Sequence, residues 1–372
     1  MHKHSPIHVT QPSLPPLDDL LPALQQIWHS KILTNGGPFH DRFESALAEY
    51  LGVEHVSLFT NCTIGLIVAL QALELQGEVI TTPFSFVATA HSLLWNRLKP
   101  VFVDVDEHTL NLDPRQIESA IGPETVAIMP VHCYGQPCDV VAIGDIARRH
   151  GLKVIYDAAH AFGVRLSSGS LFDHGDMSVL SFHATKVFNT FEGGAVISAD
   201  AHLKARVDRL RNFGFVDEGT IDLPGLNGKM SEFNAALGLQ QLKVVGDAIA
   251  RRAAIAAMYR DGLSGVLGVH CMPETAGHVP NHAYFPIRIT QGFPLQRDQL
   301  HEWLQSHGIY ARRYFHPLIS SFRMYNGLES AHPDRLRVAS RAAEQVICLP
   351  IYPALTNDEA RRIISLIEQA GH

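Results

Sequence analysis

With 372 residues, 46% of them hydrophobic, and a formal net charge of -7, the chain has the composition of a soluble globular protein with room for two domains. A mildly acidic chain lacks the basic face that contact with a phosphate backbone demands, so no nucleic-acid partner is expected. The longest apolar run of the first hundred residues, Ile64 to Leu70, is too short to span a bilayer and no apolar signal core opens the chain, so no membrane partner and a cytoplasmic location are expected.

Taken in order, the first fifty residues are polar and proline-punctuated, then helical. Leu17, Leu20, Leu21, Leu24 and Ile27 recur at three and four residue intervals. Asn35-Gly36-Gly37-Pro38 breaks that pattern before a second helix, Asp41 to Tyr50. From Val53 the pattern alternates, with strands expected at 53–59, 78–84, 99–105, 125–133 and 153–159 and helical stretches between most of them. Two more strands, Met177 to Phe182 and Ala195 to Ala199, flank Glu192-Gly193-Gly194, whose consecutive glycines supply a turn. This is the pattern of a mainly parallel sheet covered on both faces, whose ligands sit beyond the carboxyl ends of the strands.

A helix from Asp200 to Asn212 and a glycine-rich loop, Gly219 to Gly228, lead to a long helix that starts at Glu232 and ends near Gly262. The expected division falls within it. Residues 1–245 form an N-terminal arm and a large domain, and residues 246–372 a small α/β domain with strands at 266–272, 283–289 and 309–315 and helices at 296–306, 334–346 and 357–370. Five cysteines, an odd and scattered set, predict reduced thiols. His132 to Cys138 is the best metal candidate among them, but zinc-ligand spacing is absent and no second pair follows, so no metal is expected.

Three strand ends carry chemistry. Asn61-Cys62-Thr63 joins the first strand to a helix, where free backbone N–H groups and the helix dipole favour an anion; simple N-capping by Asn61 or Thr63 is the alternative. Phe84 and Phe86 follow the second strand, where an aromatic ring could stack on a flat cofactor or pack in the core. Lys153 to Asp157 reads as a buried strand ending in a carboxylate, which needs a cationic partner. A pyridinium nitrogen would serve, and Lys186 lies between the two later strands. Pyridoxal phosphate needs a lysine for the Schiff base, an acidic partner for its ring nitrogen and an anion site for its phosphate, and these residues supply all three. An arginine partner or a turn cap for Asp157 and a solvated loop for Lys186 are the structural alternatives.

The segments 130–136, 157–163, 181–186, 192–194 and 225–230 together resemble the sugar aminotransferases of the DegT/DnrJ/EryC1/StrS group, across nearly the whole chain. That resemblance implies the type I aspartate aminotransferase fold, with a large domain built on a mainly parallel seven-stranded sheet, and pyridoxal 5'-phosphate as cofactor. It makes Lys186 the Schiff-base lysine and Asp157 the partner of the ring nitrogen. His160 would contact the phenolic oxygen, and Phe86 would cover the ring. Cys62, Thr63 and Ser181 would hold the phosphate, joined by Asn227 from the other subunit of a homodimer. Lys229, where the family often has arginine, would contact substrate. Apart from the resemblance, the strand end carrying Arg312, Arg313 and His316 could meet a pyrophosphate or a carboxylate, with His316 as a substrate contact; an exposed edge strand with solvated arginines is the alternative. Cys62 itself stands where family members commonly have glycine.

The implied reaction is amination of a nucleotide-linked keto sugar, dTDP-4-keto-6-deoxyglucose, with L-glutamate as donor, in O-antigen or lipopolysaccharide biosynthesis. Amination at C3 and a non-catalytic regulator of the same fold are the alternatives. A lysine at 186, rather than histidine, argues against the family's dehydrating branch. The lack of a G-x-G-x-x-G after the first strand argues against a nicotinamide site.

Overall fold

A computed structural model describes residues 5–371. Seven strands build the central sheet: β1 (Val56–Phe59), β2 (Glu78–Thr81), β3 (Lys99–Phe102), β4 (Thr125–Met129), β5 (Lys153–Asp157), β6 (Met177–Ser181) and β7 (Gly194–Ser198). Their spatial order is β1-β7-β6-β5-β4-β2-β3. All neighbours run parallel except β7, which is antiparallel to both β1 and β6. The expected mainly parallel, seven-stranded α/β fold is therefore the one observed. Helices cover both faces, which is why β1, β6 and β7 are buried at every position and show no polar alternation.

The antiparallel return of β7 matters for the site. Its first residue, Gly194, pairs with the last residues of β1 and β6, Phe59 and Ser181. The ends of β1 and β6 and the start of β7 therefore meet on one edge of the sheet.

The helix Glu232–Leu263 runs unbroken for 32 residues. Its buried positions, Gln241, Val245, Ala248, Arg252, Ile255, Tyr259 and Leu263, follow helical spacing. Up to Val245 these residues join the apolar cluster around the sheet, and from Ile255 they join a second cluster. That second cluster packs around a three-stranded antiparallel sheet of β8 (Val269–Cys271), β9 (Phe285–Ile289) and β10 (Val346–Leu349). The lobes are also joined by a buried carboxylate. Asp104, after β3, accepts from the backbone N–H groups of Val338 and Ala339, both at 2.8 Å, at the start of the helix Arg337–Gln345. Glu232 does the same for the helix Pro38–Leu51, accepting from Phe39 and His40 at 2.9 and 2.7 Å. Each carboxylate satisfies orphan donors and meets the positive end of a helix dipole.

The sequence-expected strand at 309–315 is shorter than its composition suggests. Only Ile309–Tyr310 is extended, paired in parallel with Ile7–His8. Beyond it Phe315 turns inward against Phe84 and Tyr134, and that aromatic packing outweighs strand propensity. The strand expected at 283–289 begins only at Phe285, which leaves Tyr284 in a connecting segment.

His132, at the carboxyl end of β4, is fully buried and stacks on Tyr156 at 4.7 Å. Its Nδ1 accepts from the Cys138 N–H at 3.0 Å. Burial, with a smaller contribution from His174, holds its pKa down to about 3. The unfolded chain takes a proton on this ring below its ordinary value of about 6.5, and the native protein refuses it until near 3. Stability is therefore lost as pH falls between those values, by about 1.4 kcal/mol per pH unit for this single proton. A His132→Asn variant keeps an acceptor and cannot titrate. Its unfolding free energy, measured by chemical denaturation between pH 6 and pH 4, should fall less steeply than that of the wild type.

Candidate active site

A cavity of roughly 280 Å³ opens at the carboxyl edge of the sheet, between the two lobes. Cys62, Thr63, Phe86, Asp157, His160, Ser181 and Lys186 all line it. The segments that carry them are up to 124 residues apart in sequence, Cys62 to Lys186, and the sheet topology, including antiparallel β7, brings them together.

Asp157 ends β5 and is 4% exposed. Its Oδ2 accepts from the Thr89 hydroxyl at 2.7 Å and its Oδ1 from the Ala159 N–H at 3.1 Å. Thr89 in turn lies 2.9 Å from the Ser85 hydroxyl, so a buried chain of small polar groups supports the carboxylate from behind. Burial pushes the Asp157 pKa up, opposed by Thr89, Ala159 and Lys186. No salt bridge reaches Asp157 among the described residues, so the sequence-derived alternative of an arginine partner does not hold.

Lys186 follows a tight turn in which its N–H donates to the His183 carbonyl at 2.9 Å. Its Nζ donates to the Tyr284 hydroxyl at 3.3 Å. Burial pulls its pKa below the ordinary lysine range, against the attraction of Cys62, Asp157 and Tyr314. The shift is toward the neutral amine, the form that can act as nucleophile or base. The reading of Lys186 as a solvated loop residue is overturned by its place in the cavity wall.

His160 is 5% exposed, and its Nδ1 accepts from the Tyr134 N–H at 3.2 Å. Burial holds its pKa well below the usual histidine value. A neutral ring that accepts at Nδ1 carries its proton on Nε2, so it offers a donor on its other side.

The helix Cys62–Ala72 begins at the cavity, with Asn61 as N-cap accepting from the Ile64 N–H at 2.9 Å. Capping by Asn61 leaves the earlier N–H groups of the helix free for an anion. Burial, first, and the charge of Asp157 push the Cys62 thiol well up against the opposing pull of Lys186, a shift that disfavours the thiolate. Gly194 lies directly behind: a Cβ there would come within 2.8 Å of the Cys62 nitrogen and of the Leu180 carbonyl. Only glycine lets β7 pass this close to the anion loop. Phe86 stands at the cavity wall with 61% of its surface exposed, an unusual cost for a phenylalanine unless something flat covers it.

Three sequence-derived candidates lie outside the cavity lining. Asn227 is exposed on the loop that bridges back to Asn212. Lys229 pairs with Phe59 through the backbone and sets its ammonium 4.7 Å from the centre of the Phe213 ring. His316 is exposed, immediately after the two lining residues Tyr314 and Phe315. Conversely, Ser85, Thr89, Tyr284 and Tyr314 were not singled out by sequence, although all are in or behind the wall. His183 also lines the cavity, with its Nδ1 2.8 Å from the Thr185 hydroxyl and its Nε2 3.7 Å from a Glu192 oxygen.

The set fits pyridoxal phosphate on the observations above. A buried carboxylate lacking a cation, a neutral imidazole donor, a helix N-terminus and an amine share one cavity. Among the described residues no cluster could hold a metal ion, and no helix is long and apolar enough to cross a membrane.

Residues 18–368 match the model of the DegT/DnrJ/EryC1/StrS aminotransferase family. The chain is 53% identical over 364 residues to a dTDP-4-amino-4,6-dideoxy-D-glucose transaminase of Shigella dysenteriae, covering 98% of this chain and 99% of that one. It is 52% identical to a protein of the same name from Escherichia coli, with 97% and 98% covered. Among solved structures, DesI, determined in the presence of its TDP-sugar product, superposes with a TM-score of 0.94 at 37% identity, covering 99% of this chain and 93% of that one.

Replacing Thr89 by valine removes a donor to a buried carboxylate while keeping the side-chain shape. A loss of about 1–3 kcal/mol of stability is expected at pH 7, measurable by chemical denaturation of the cofactor-free protein. Unchanged stability would mean that Asp157 does not draw on this bond.

Proposed function

Because the chain belongs to the DegT/DnrJ/EryC1/StrS aminotransferase family, we infer that it transfers an amino group from L-glutamate to C4 of dTDP-4-keto-6-deoxyglucose, giving the 4-amino-4,6-dideoxy sugar. What carries this reading is the identity of more than half, over almost the full length, to two transaminases named for that sugar. The protein is a pyridoxal-phosphate-dependent transaminase. When bound, the cofactor supplies an electron sink for the substrate carbon that loses a proton.

The chain's own residues then take distinct parts. Lys186 would carry the cofactor, and its Nζ, whose pKa burial lowers, would move the substrate proton. Asp157, held by Thr89 and Ala159, would pair with the ring nitrogen and gain the cation it lacks. The Nε2–H of His160 would donate to the phenolic oxygen. Cys62 and Thr63, through their backbone N–H groups, and Ser181 would hold the phosphate, and Phe86 would cover the ring face. The division at 245/246 is supported by the helix Glu232–Leu263, whose last fully buried apolar residue in the first core is Val245, with Ile249 packed at its margin, and which enters the second core at Ile255.

Asn227 and Lys229 serve a second subunit in this reading, the first at the phosphate and the second at the substrate pyrophosphate. The exposed apolar residues Phe213, Phe215, Val216 and Ile221, on the hairpin tied to Asn227, support a homodimer built over this loop. His316 would reach substrate from the small lobe. We assign the product to O-antigen or lipopolysaccharide assembly, and the enzyme to the cytoplasm, on the chemistry of a nucleotide-activated amino sugar.

The purified holoenzyme should absorb in the visible range and bleach with L-glutamate. Lys186→Ala should lose that absorbance and about 10²–10⁴-fold or more of turnover. With the 4-keto substrate, NMR of the product should place nitrogen on C4; nitrogen on C3 would overturn the assignment of the sugar position.

A further inference from the structure

Tyr284 belongs to no strand or helix, yet it stands between Lys186 and His160. Its hydroxyl is the side-chain partner of Lys186 Nζ, at 3.3 Å. The same Nζ also lies over the Tyr284 ring, 5.8 Å from its centre. Three aromatic rings fix the phenol: His160 at 4.8 Å and 63°, Tyr134 at 5.6 Å and 56°, and Tyr314 at 5.6 Å and 89°.

The segment leading to Tyr284 is tied to both lobes. Asn281, 1% exposed, donates through Nδ2 to the carbonyls of His160 at 2.7 Å and Phe162 at 2.9 Å, on the loop after β5. Its Oδ1 accepts from the Ala283 N–H at 3.0 Å, closing a tight bend in which His282 takes a φ of 48°. Gly135 makes room for this amide, since a Cβ there would fall 2.5 Å from Asn281 Oδ1. From the small-lobe side, buried Arg252 donates to the carbonyls of Ile351 at 2.8 Å and Ala283 at 3.4 Å. Every residue of the strap from 281 to 284 except His282 is thus pinned by a hydrogen bond or an aromatic contact.

We infer that Tyr284 is a positioning residue for Lys186: its phenol oxygen takes one hydrogen of Nζ and so turns the nitrogen lone pair toward the cavity, while Asn281 fixes Tyr284 against the cofactor loop. The inference rests on the reading of Lys186 as the cofactor-bearing lysine. A lysine tip has several torsions to settle, and packing of its stem does not choose among them. A single hydrogen bond at the tip does. Burial keeps the phenol protonated, so the contact adds no charge that would draw a proton onto the amine. Small errors in the placement of a reacting atom cost large factors in rate, which is why such a bond is consequential.

Tyr284→Phe preserves the ring contacts and deletes only the hydroxyl. Two measurements follow the lysine directly: the rate at which visible absorbance appears when pyridoxal phosphate is added to the cofactor-free protein, and the kcat and KM of the glutamate half-reaction. Both rates are expected to fall roughly tenfold, with glutamate KM, final cofactor occupancy and melting midpoint unchanged. Asn281→Ala should slow cofactor uptake to the same degree, and adding Tyr284→Phe to it should slow uptake no further. A Phe variant that matches the wild type in uptake and turnover overturns the inference. So does one that loses occupancy and melting temperature together, since that is the behaviour of a packing residue. A wild-type protein that takes up no pyridoxal phosphate would instead sink the proposed function, and this inference with it.

Discussion

Asp157 has both oxygens bonded by neutral donors, the Thr89 hydroxyl and the Ala159 N–H, and no guanidinium or ammonium among the described residues pairs with it. Removing a carboxylate from water costs several kcal/mol unless a partner offsets it. The fold tolerates that cost here because the sheet, the Ser85–Thr89 pair and the loop to His160 all converge on the same point. A cationic heterocycle arriving between Asp157 and Phe86 would relieve it. The site is therefore built to be completed, and the other polar groups around it are arranged for the same visitor. His160 is neutral, Lys186 is held toward neutrality, and the helix after Asn61 has spare donors.

The arrangement depends on one irregularity in an otherwise parallel sheet. A strand running with its neighbours after Ser181 would begin at the far edge and carry residues 182–193 away from the site. Antiparallel β7 instead begins beside Ser181 and Phe59, so the excursion that bears Lys186 leaves and returns at the cofactor edge. Gly194 is the point where that return would otherwise collide with the anion loop.

How much of this was legible in the sequence follows from where each residue sits. Lys186, Asp157 and Cys62-Thr63 could be found because they lie at the ends of strands that the alternating pattern locates, and such ends face ligands in parallel sheets, whereas His160 came only with the family resemblance. The sheet itself was read correctly because both of its faces are buried, giving continuous apolar runs. Thr89 carried no signal: a threonine in a helix is ordinary, and only the fold aims it at a carboxylate 68 residues later. Tyr284 was hidden inside an expected strand, because a tyrosine beside Phe285 and Ile287 fits β propensity as well as it fits a loop. Residues 309–315 read as a strand for the same reason, but aromatic packing of Phe315 turns the chain inward. For Asn227 and Lys229, outside the cavity of one subunit, a reading from motifs runs ahead of what a single chain displays.

The long helix has a consequence for how such a protein can change over generations. At 1.5 Å per residue its 32 residues form a rod of about 48 Å. The two cores grip opposite halves of this rod, with no flexible stretch between them. Many two-lobed enzymes can exchange a lobe by recombination at a linker, since few contacts cross it. Here a crossover anywhere from Val245 to Ile255 would have to preserve helical phase, because a shift of one residue rotates one core by about 100° around the other. Descent with a new sugar specificity is thereby steered toward point changes on loops, and the two lobes are inherited as a pair.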